Sequence, residues 1–250
     1  MIQIGRFDKV FVDAENTKLE SKTPADIIQW ALENIHQGLW QSTAFGVTGL
    51  VITDMLHKLD AKIPILFIDT LHHFEETLLL AQQLRGKYHT RILVYKPDEM
   101  NSREEFTDMH GDELWLQNPP LYDYTAKVEP AHRAYVENGV KAVFTGRRSS
   151  QGGDRTQLPV LELDFQVNPP LLKINPMANW SYEQVWEYIK MNNVPYNALL
   201  DQGYKSVGDY HSTVPVSKGE SERDGRWKGQ EKTECGLHKD YFKLKAMASQ

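Results

Sequence analysis

Ser42-Thr43-Ala44-Phe45-Gly46-Val47-Thr48-Gly49 opens a unit that closes, one helix later, with Ile63-Pro64-Ile65-Leu66-Phe67-Ile68-Asp69-Thr70. Residues 42–45 fit a short strand, Gly46 to Gly49 a turn, and the residues through Leu59 a helix. The second stretch is a short apolar, β-branched run that stops at polar residues, the pattern of a strand buried on both faces. Strand, helix and buried strand in that order make a βαβ unit, which implies parallel pairing.

The same alternation continues on both sides. Thr23-Pro24, a capping residue with proline at the first helical position, starts a helix whose apolar face is Ile27, Ile28, Ala31, Leu32, Ile35 and Leu39. Residues 1–22 are mixed and polar, an arm over the body or a dimer contact. Downstream, a helix around Phe74, Thr77, Leu78, Ala81 and Leu84 precedes a strand over 91–95. Residues 101–139 are mostly helical and restart at Pro130. Strands follow over 140–144, near 160–163 and over 171–174. Ser181 with Gln184 forms a capping box for a helix with Tyr182, Val185, Trp186 and Ile189 on one face. The fold class is therefore α/β, a doubly wound, mostly parallel sheet in one domain over residues 1–216, with a functional tail at 217–250.

At 250 residues with 40% hydrophobic content, the chain can bury a sizeable core, so global disorder is excluded. A net charge of −6 argues against general nucleic-acid or membrane-surface binding, so an anion site must be a local basic cluster. No apolar run is long enough for a membrane span, and Met1–Asn16 lacks the pattern of a signal peptide. A reducing cytoplasmic setting is the expectation.

Three strand-end segments are candidates for ligand contact, because ligands of such sheets bind beyond the carboxyl ends of the strands. Ser42 to Gly49 can present backbone N–H groups to a phosphate, or serve only close helix–strand packing. Asp69-Thr70 reads equally as a ribose contact or as a cap on the next helix. His72 and His73, neighbours on a helix, read as surface or structural residues and not as metal ligands. Arg147-Arg148, with Arg155 in the same glycine-rich loop, form an anion fork, the alternative being a solvated surface pair.

The sharpest feature is Lys232-Thr233-Glu234-Cys235-Gly236-Leu237-His238, which holds the one cysteine of the chain. One thiol can make no internal disulfide and no iron–sulfur cluster. Residues 217–234 carry Trp227 as their one apolar side chain, so no core element houses Cys235, and the tail is expected to be mobile. Arg223, Arg226, Lys228, Lys232, His238 and Lys239 surround the thiol in sequence. Cations lower a thiol pKa from about 8.5 to roughly 3.5–7.5, while Glu234 opposes them. Cys235 reads as a nucleophile in preference to a buried structural cysteine.

This stretch resembles the C-terminal catalytic signature of the phosphoadenylyl-sulfate (PAPS) reductases, which belong to the Rossmann-like adenine-nucleotide alpha-hydrolase-like fold. The loop at 42–49 resembles the family's modified pyrophosphate loop. Thr48-Gly49-Leu50 stands where ATP-cleaving relatives usually carry an acidic residue and serine. Arg147-Arg148 with Arg155, Lys127-Val128-Glu129-Pro130 with Arg133, Gly203 to His211, and Glu222-Arg223-Asp224-Gly225-Arg226-Trp227 match further family segments in order. The resemblance implies Cys235 and His238 as catalytic residues. It implies Ser42, Thr43, Phe45, Gly46, Asp69, Thr70, Lys127, Arg133, Arg147, Arg148, Arg155, Tyr204, His211, Arg223, Arg226 and Lys232 as substrate-binding. It also implies reduction of PAPS to sulfite and adenosine 3′,5′-bisphosphate through a cysteine S-sulfonate, in sulfate assimilation toward cysteine and methionine. The expected co-substrate is thioredoxin or glutaredoxin, with no bound cofactor, metal or iron–sulfur cluster, and the expected assembly is a homodimer. The alternatives are a cluster-free adenylyl-sulfate (APS) reductase and an ATP-using adenylyltransferase of the same fold. A nucleotide sensor with no chemistry is the reading from another class.

Overall fold

The sheet is built around its earliest strand. In this computed structural model, which describes residues 8–228, 232, 234, 236–238 and 240–248, β1 (Leu39–Ser42) lies between β2 (Ile65–Ile68) and a strand formed a hundred residues later. Before β1 come α1 (Lys9–Leu19) and α2 (Pro24–Asn34). After it, α3 (Val47–Lys58) leads to β2, and α4 (Glu75–Tyr88) leads to β3 (Ile92–Tyr95). The helical stretch comprises α5 (Arg103–His110), α6 (Leu114–Gln117), α7 (Pro119–Asp123), a π-turn at Tyr124–Val128 and α8 (Glu129–Glu137). Next come β4 (Ala142–Phe144), β5 (Leu161–Asp164), β6 (Leu171–Ile174), α9 (Tyr182–Met191) and, at the end, α10 (Tyr241–Ala248). No helix of the described residues is long and apolar enough to cross a membrane.

The strand order is β3-β2-β1-β4-β6-β5, parallel except for the β5–β6 pair. Successive units step one way from β1 to β3 and the other way from β1 to β4. The topological switch point is thus the β1–β4 junction, where a crevice opens beyond the strand ends.

Several sequence expectations shift against this frame. The first strand was expected over 42–45 but occupies Leu39–Ser42, so Phe45 belongs to the turn and Leu39 to the strand, not to the face of α2. Thr23 caps α2 as expected, and Asp26 completes a capping box there. The polar arm contains α1, whose Val12 and Leu19 are buried. Asn16 exchanges hydrogen bonds with the backbone of Leu161 on edge strand β5, at 2.9 and 2.8 Å. That pairing satisfies an N–H and a C=O that an edge strand would otherwise expose. The restart at Pro130 is real but is preceded by the π-turn, where Glu129 N–H bonds the Tyr124 carbonyl. Proline has no N–H and crowds the carbonyl four residues back, and the wider turn relieves that clash.

Close packing governs the start of α3. Gln41 on β1 donates to the Gly49 carbonyl at 2.7 Å, and the Thr53 hydroxyl lies 3.0 Å from the Gln41 amide oxygen. A Cβ at Gly49 would overlap Thr43 Oγ1, which already accepts from Phe45 N–H at 2.9 Å. Gly49→Ala should therefore cost about 1–3 kcal/mol of stability by overpacking. Thr43→Ala added to it should recover most of that loss, both read from urea unfolding curves. Equal destabilisation in the single and double variants would show that the contact with Thr43 is not the cause.

Candidate active site

A cavity of about 210 Å³ occupies the switch point. Its floor is the turn from Ser42 to Gly49, with Thr145 to Arg147 leaving β4 beside it. Phe45 holds a positive φ of 59° there, a conformation uncommon for a bulky residue and a mark of a locally imposed turn. Its ring is anchored against Phe67 at 4.8 Å between centroids. That bend makes Gly46 the N-cap of α3, and Gly46 brings no side-chain hydrogen bond to the cap. The first N–H groups of α3 thus face the cavity as an anion-binding feature. Of the predicted residues, Ser42, Thr43, Phe45, Gly46, Arg147, Arg155 and Arg226 line it.

Arg147 and Arg148 do not act as a fork in this structure. Arg147 lines the cavity and pairs with Glu162 at 2.5 Å. Arg148 is fully buried and turns the other way. It donates to Thr48 Oγ1 at 2.9 Å, to Ser150 Oγ at 2.7 Å and to Glu222 Oε2 at 2.5 Å. A guanidinium placed so binds the glycine turn to the tail, since Glu222 belongs to the C-terminal segment.

A second, drier cluster collects Thr70, Lys127 and His211 around Asp209. The Asp209 carboxylate accepts from Thr70 Oγ1 at 2.7 Å and Tyr122 Oη at 3.1 Å, and it pairs with Lys127 at 2.8 Å. Burial would push this carboxyl up, but Lys127, His73 and His211 hold it well below the usual carboxylate range. Burial pushes the His211 pKa down to about 3 against the opposing pull of Asp209. Its ring stacks on Trp115 at 4.2 Å, and its Nε2 meets Tyr122 Oη at 2.9 Å. His72 and His73 precede α4 and are not on a helix; His73 bridges Asp209 through its backbone, and both side chains are buried. That excludes the surface reading and leaves the structural one.

The other predicted residues lie around these two centres. Asp69 is buried and accepts from Leu71 N–H at 3.0 Å, building the turn that ends β2. Thr70 does not cap α4, whose N-cap is Phe74. Arg133 pairs with Glu129 at 2.9 Å and donates to the Lys96 carbonyl at 2.6 Å, on the outer side of α8. Tyr204 meets Phe74 edge to face at 5.7 Å. Within Gly203–His211 it is Lys205, Ser206 and Val207 that line the cavity, not Tyr204 and His211.

The tail is docked over this site in its described part. Trp227 is buried, and Arg226, Arg223 and Lys232 stand over its ring at 4.5, 5.4 and 5.6 Å. Its backbone joins the body through Val214 N–H to Gly225 O and Trp227 N–H to Ser212 O, both at 2.9 Å. Glu234 accepts two hydrogen bonds from Arg155, at 2.6 and 2.7 Å, and stands 3.4 Å from Arg223. Lys232 pairs with Asp123 at 2.7 Å. The expectation that residues 217–234 lack the apolar surface to hold one position overlooks these pairs and the cations on Trp227. Cys235 lies outside the described residues. Gly236–His238 form a 3-10 turn, and the His238 side chain lies outside the described part. Leu237 lines the cavity.

Sequence reasoning missed Lys173, Lys205 and Glu222 as cavity residues. Lys173 had a legible signal, a lysine inside the buried run Leu171-Leu172-Lys173-Ile174. It is 3% exposed and pairs with Asp164 across the β5–β6 ladder. Glu222 had none, because its partner Arg148 is 74 residues away.

A doubly wound α/β body with a glycine-lined, basic cavity at its switch point belongs to the class that receives phosphorylated ligands beyond its strand ends. Residues 38–215 match the phosphoadenosine phosphosulfate reductase domain family. The chain is 55% identical over 227 residues to the phosphoadenosine phosphosulfate reductase of Saccharomyces cerevisiae, an overlap of 88% of this chain and 86% of that one. With the enzyme of the same name from Emericella nidulans it shares 52% identity over 237 residues, 93% of this chain and 76% of the other. It is also 35% identical over 215 residues to adenosine 5′-phosphosulfate reductase 2 of Bacillus subtilis, 86% and 89% of the two chains. The crystal structure of a Candida auris PAPS reductase in a phosphate complex is similar at a TM-score of 0.78 and 47% identity, over 84% of this chain and 98% of that one. A TM-score of 0.59 at 15% identity to Candida glabrata FMN adenylyltransferase, over 94% and 81% of the chains, reflects the fold alone. The chain belongs to the phosphoadenosine phosphosulfate reductase family and is an oxidoreductase of that family.

Two outcomes separate the roles of these charges. Arg148→Ala leaves Glu222 without its buried partner and should cost about 3–5 kcal/mol of stability in urea unfolding. Arg147→Ala should change stability much less and weaken adenosine 3′,5′-bisphosphate binding by about 1.5–3 kcal/mol in calorimetry. The reverse pattern would exchange their assignments. His211 supplies a pH test. The unfolded chain takes up a proton near the ordinary value of 6.5, whereas the folded chain refuses it down to about 3. Its contribution is therefore complete above the upper value and is lost as pH falls through that window, by at most about 1.4 kcal/mol per pH unit. His211→Gln should flatten the acid limb of stability against pH by up to that slope; an unchanged limb would show that His211 titrates normally in the fold.

Proposed function

We propose that the chain reduces PAPS to sulfite and adenosine 3′,5′-bisphosphate, with Cys235 as nucleophile and thioredoxin or glutaredoxin as electron donor. The observation that carries this reading is that the signature meets the basic cavity on both sides of Cys235. Glu234 is held by the cavity residue Arg155, and Leu237 lines the wall.

In this reading the glycine turn and the Arg147, Arg155, Lys205 and Arg226 cations receive the phosphosulfate. The Cys235 thiolate attacks the sulfate sulfur, a sulfur–sulfur bond forms, and the bond from sulfur to the bridging phosphate oxygen breaks. Its electron pair leaves with adenosine 3′,5′-bisphosphate, whose growing charge the cations offset. A thiolate of reduced thioredoxin then attacks Cys235 Sγ and releases sulfite. Its second thiol resolves the mixed disulfide, so the dithiol supplies the two electrons that sulfur gains. The cavity with the tail docked, about 210 Å³, is below the roughly 300–1,000 Å³ usual for small-molecule sites. Nucleotide entry then requires the tail residues that line it, Glu222, Arg226 and Leu237, to move. The division into a body at 1–216 and a tail at 217–250 is part of this reading. His238, three residues after Cys235 in the signature, is assigned a supporting catalytic role.

PAPS is preferred to APS as substrate because the relatives above 50% identity carry the PAPS name, while the Bacillus subtilis relative at 35% carries the APS name. Cytoplasmic location, sulfate assimilation and a homodimer remain parts of the same proposal.

Incubation with PAPS and no reductant should give one equivalent of adenosine 3′,5′-bisphosphate and a sulfonate adduct on the peptide containing Cys235. Cys235→Ser should form no adduct and keep its affinity for the bisphosphate. Sulfite production by the serine variant would remove Cys235 from the mechanism. ATP-dependent release of pyrophosphate would instead favour an adenylyltransferase.

A further inference from the structure

Asp123 ends α7 at the mouth of the π-turn, and its side chain is 1% exposed. A carboxylate so far from water is costly unless it is paired and hydrogen-bonded. Two lysines are near it, and their distances rank them. Lys127 stands 3.6 Å from Asp123 Oδ1 but 2.8 Å from Asp209, so its nearer partner is elsewhere. Lys232 stands 2.7 Å from both Asp123 oxygens. Asp123 therefore faces the tail before it faces its own helix.

The same side chain also bears Gly236. A Cβ at Gly236 would lie 2.6 Å from Asp123 Cβ and 2.7 Å from Cγ, closer than side-chain carbons come. Glycine at 236 lets the tail backbone rest directly on the stem of Asp123, and the carboxylate at its end grips Lys232. Lys232 is three residues before Cys235, and Gly236 is one after it. One buried side chain thus holds both flanks of the thiol. The third restraint, Arg155 on Glu234, acts from the β4 side of the cavity.

We propose that Asp123 is a positioning residue for the reaction at Cys235, seating Gly236 on one side of it in the sequence and clamping Lys232 on the other. This rests on the reading of Cys235 as nucleophile. Asp123 itself need touch neither sulfur nor substrate. Aspartate suits the role because its short stem brings the backbone contact and the ion pair within one side chain.

The test uses the full chain with Asp123→Asn, Lys232→Met, the double variant and Gly236→Ala. Amide exchange over residues 236–238 reports the hold on the segment. Single-turnover S-sulfonation by PAPS reports the chemistry, and calorimetry with adenosine 3′,5′-bisphosphate reports ligand affinity. Asp123→Asn should speed exchange about tenfold and slow S-sulfonation by about 100-fold, the scale of an ångström misplacement. Affinity should stay within about threefold, a split that general destabilisation would not produce. The double variant should be no slower than the slower single one, because both act through one contact. Gly236→Ala should speed exchange with Asp123 intact. Unchanged exchange in Asp123→Asn, or faster exchange with S-sulfonation within about threefold of the parent, overturns the proposal. Failure of the parent protein to form an S-sulfonate sinks the nucleophile reading and the catalytic half of this one. Exchange then still decides whether Asp123 holds the segment.

Discussion

Among the described residues, three ion pairs fasten the C-terminal segment to the body: Arg148 with Glu222 at 2.5 Å, Arg155 with Glu234 at 2.6 Å, and Lys232 with Asp123 at 2.7 Å. All are largely shielded from water, where a pair contributes little net energy but a broken one leaves a costly charge. Such contacts specify one docking geometry more sharply than they add stability. Trp227 supplies the dry centre between them, and the tail cations over its ring join the apolar and ionic parts of the seam. The described part of the tail is thereby held by charges from the loop after β4 and from α7.

The directions of these pairs matter as much as their number. The body offers two guanidiniums and one carboxylate, and the tail answers with two carboxylates and one ammonium. A tail of uniform positive charge could not dock so, since Arg148 and Arg155 would repel it. Glu234, which opposes a thiolate when the local charge is considered alone, here carries part of the attachment, with Glu222. Glu234, next to Cys235 in the sequence, therefore serves to fix the position of the segment.

Local physics was legible where it is written in adjacent residues. The cap at Thr23-Pro24, the capping box at Ser181 and the buried run over β2 all appear close to where periodicity places them. The α1 helix was hidden because Val12 and Leu19 are its only buried positions, too few to make a stripe. The first strand was displaced by up to three residues because the run into Phe45 looks extended until its positive φ is known. In the site, the glycine turn and two arginines were readable as types. Which partner each cation takes was not, because Arg148 meets Glu222 and Lys127 meets Asp209 only after the sheet has closed.

Cations gathered at one cavity repel one another, and this protein offsets them with carboxylates of fixed geometry. Glu162 holds Arg147, and Glu234 holds Arg155 through two hydrogen bonds at once. A bidentate pair sets the plane of a guanidinium as well as its charge. The donors of Arg155 that are not used by Glu234 are aimed by that pairing, one of them toward Gln151. Lysine at either position would keep the charge and lose the plane, because an ammonium makes no fork. An anion that engages Arg155 through the same edge must compete with the residue that precedes Cys235. Charge neutralisation at the cavity and the position of the thiol segment are thus coupled through a single carboxylate.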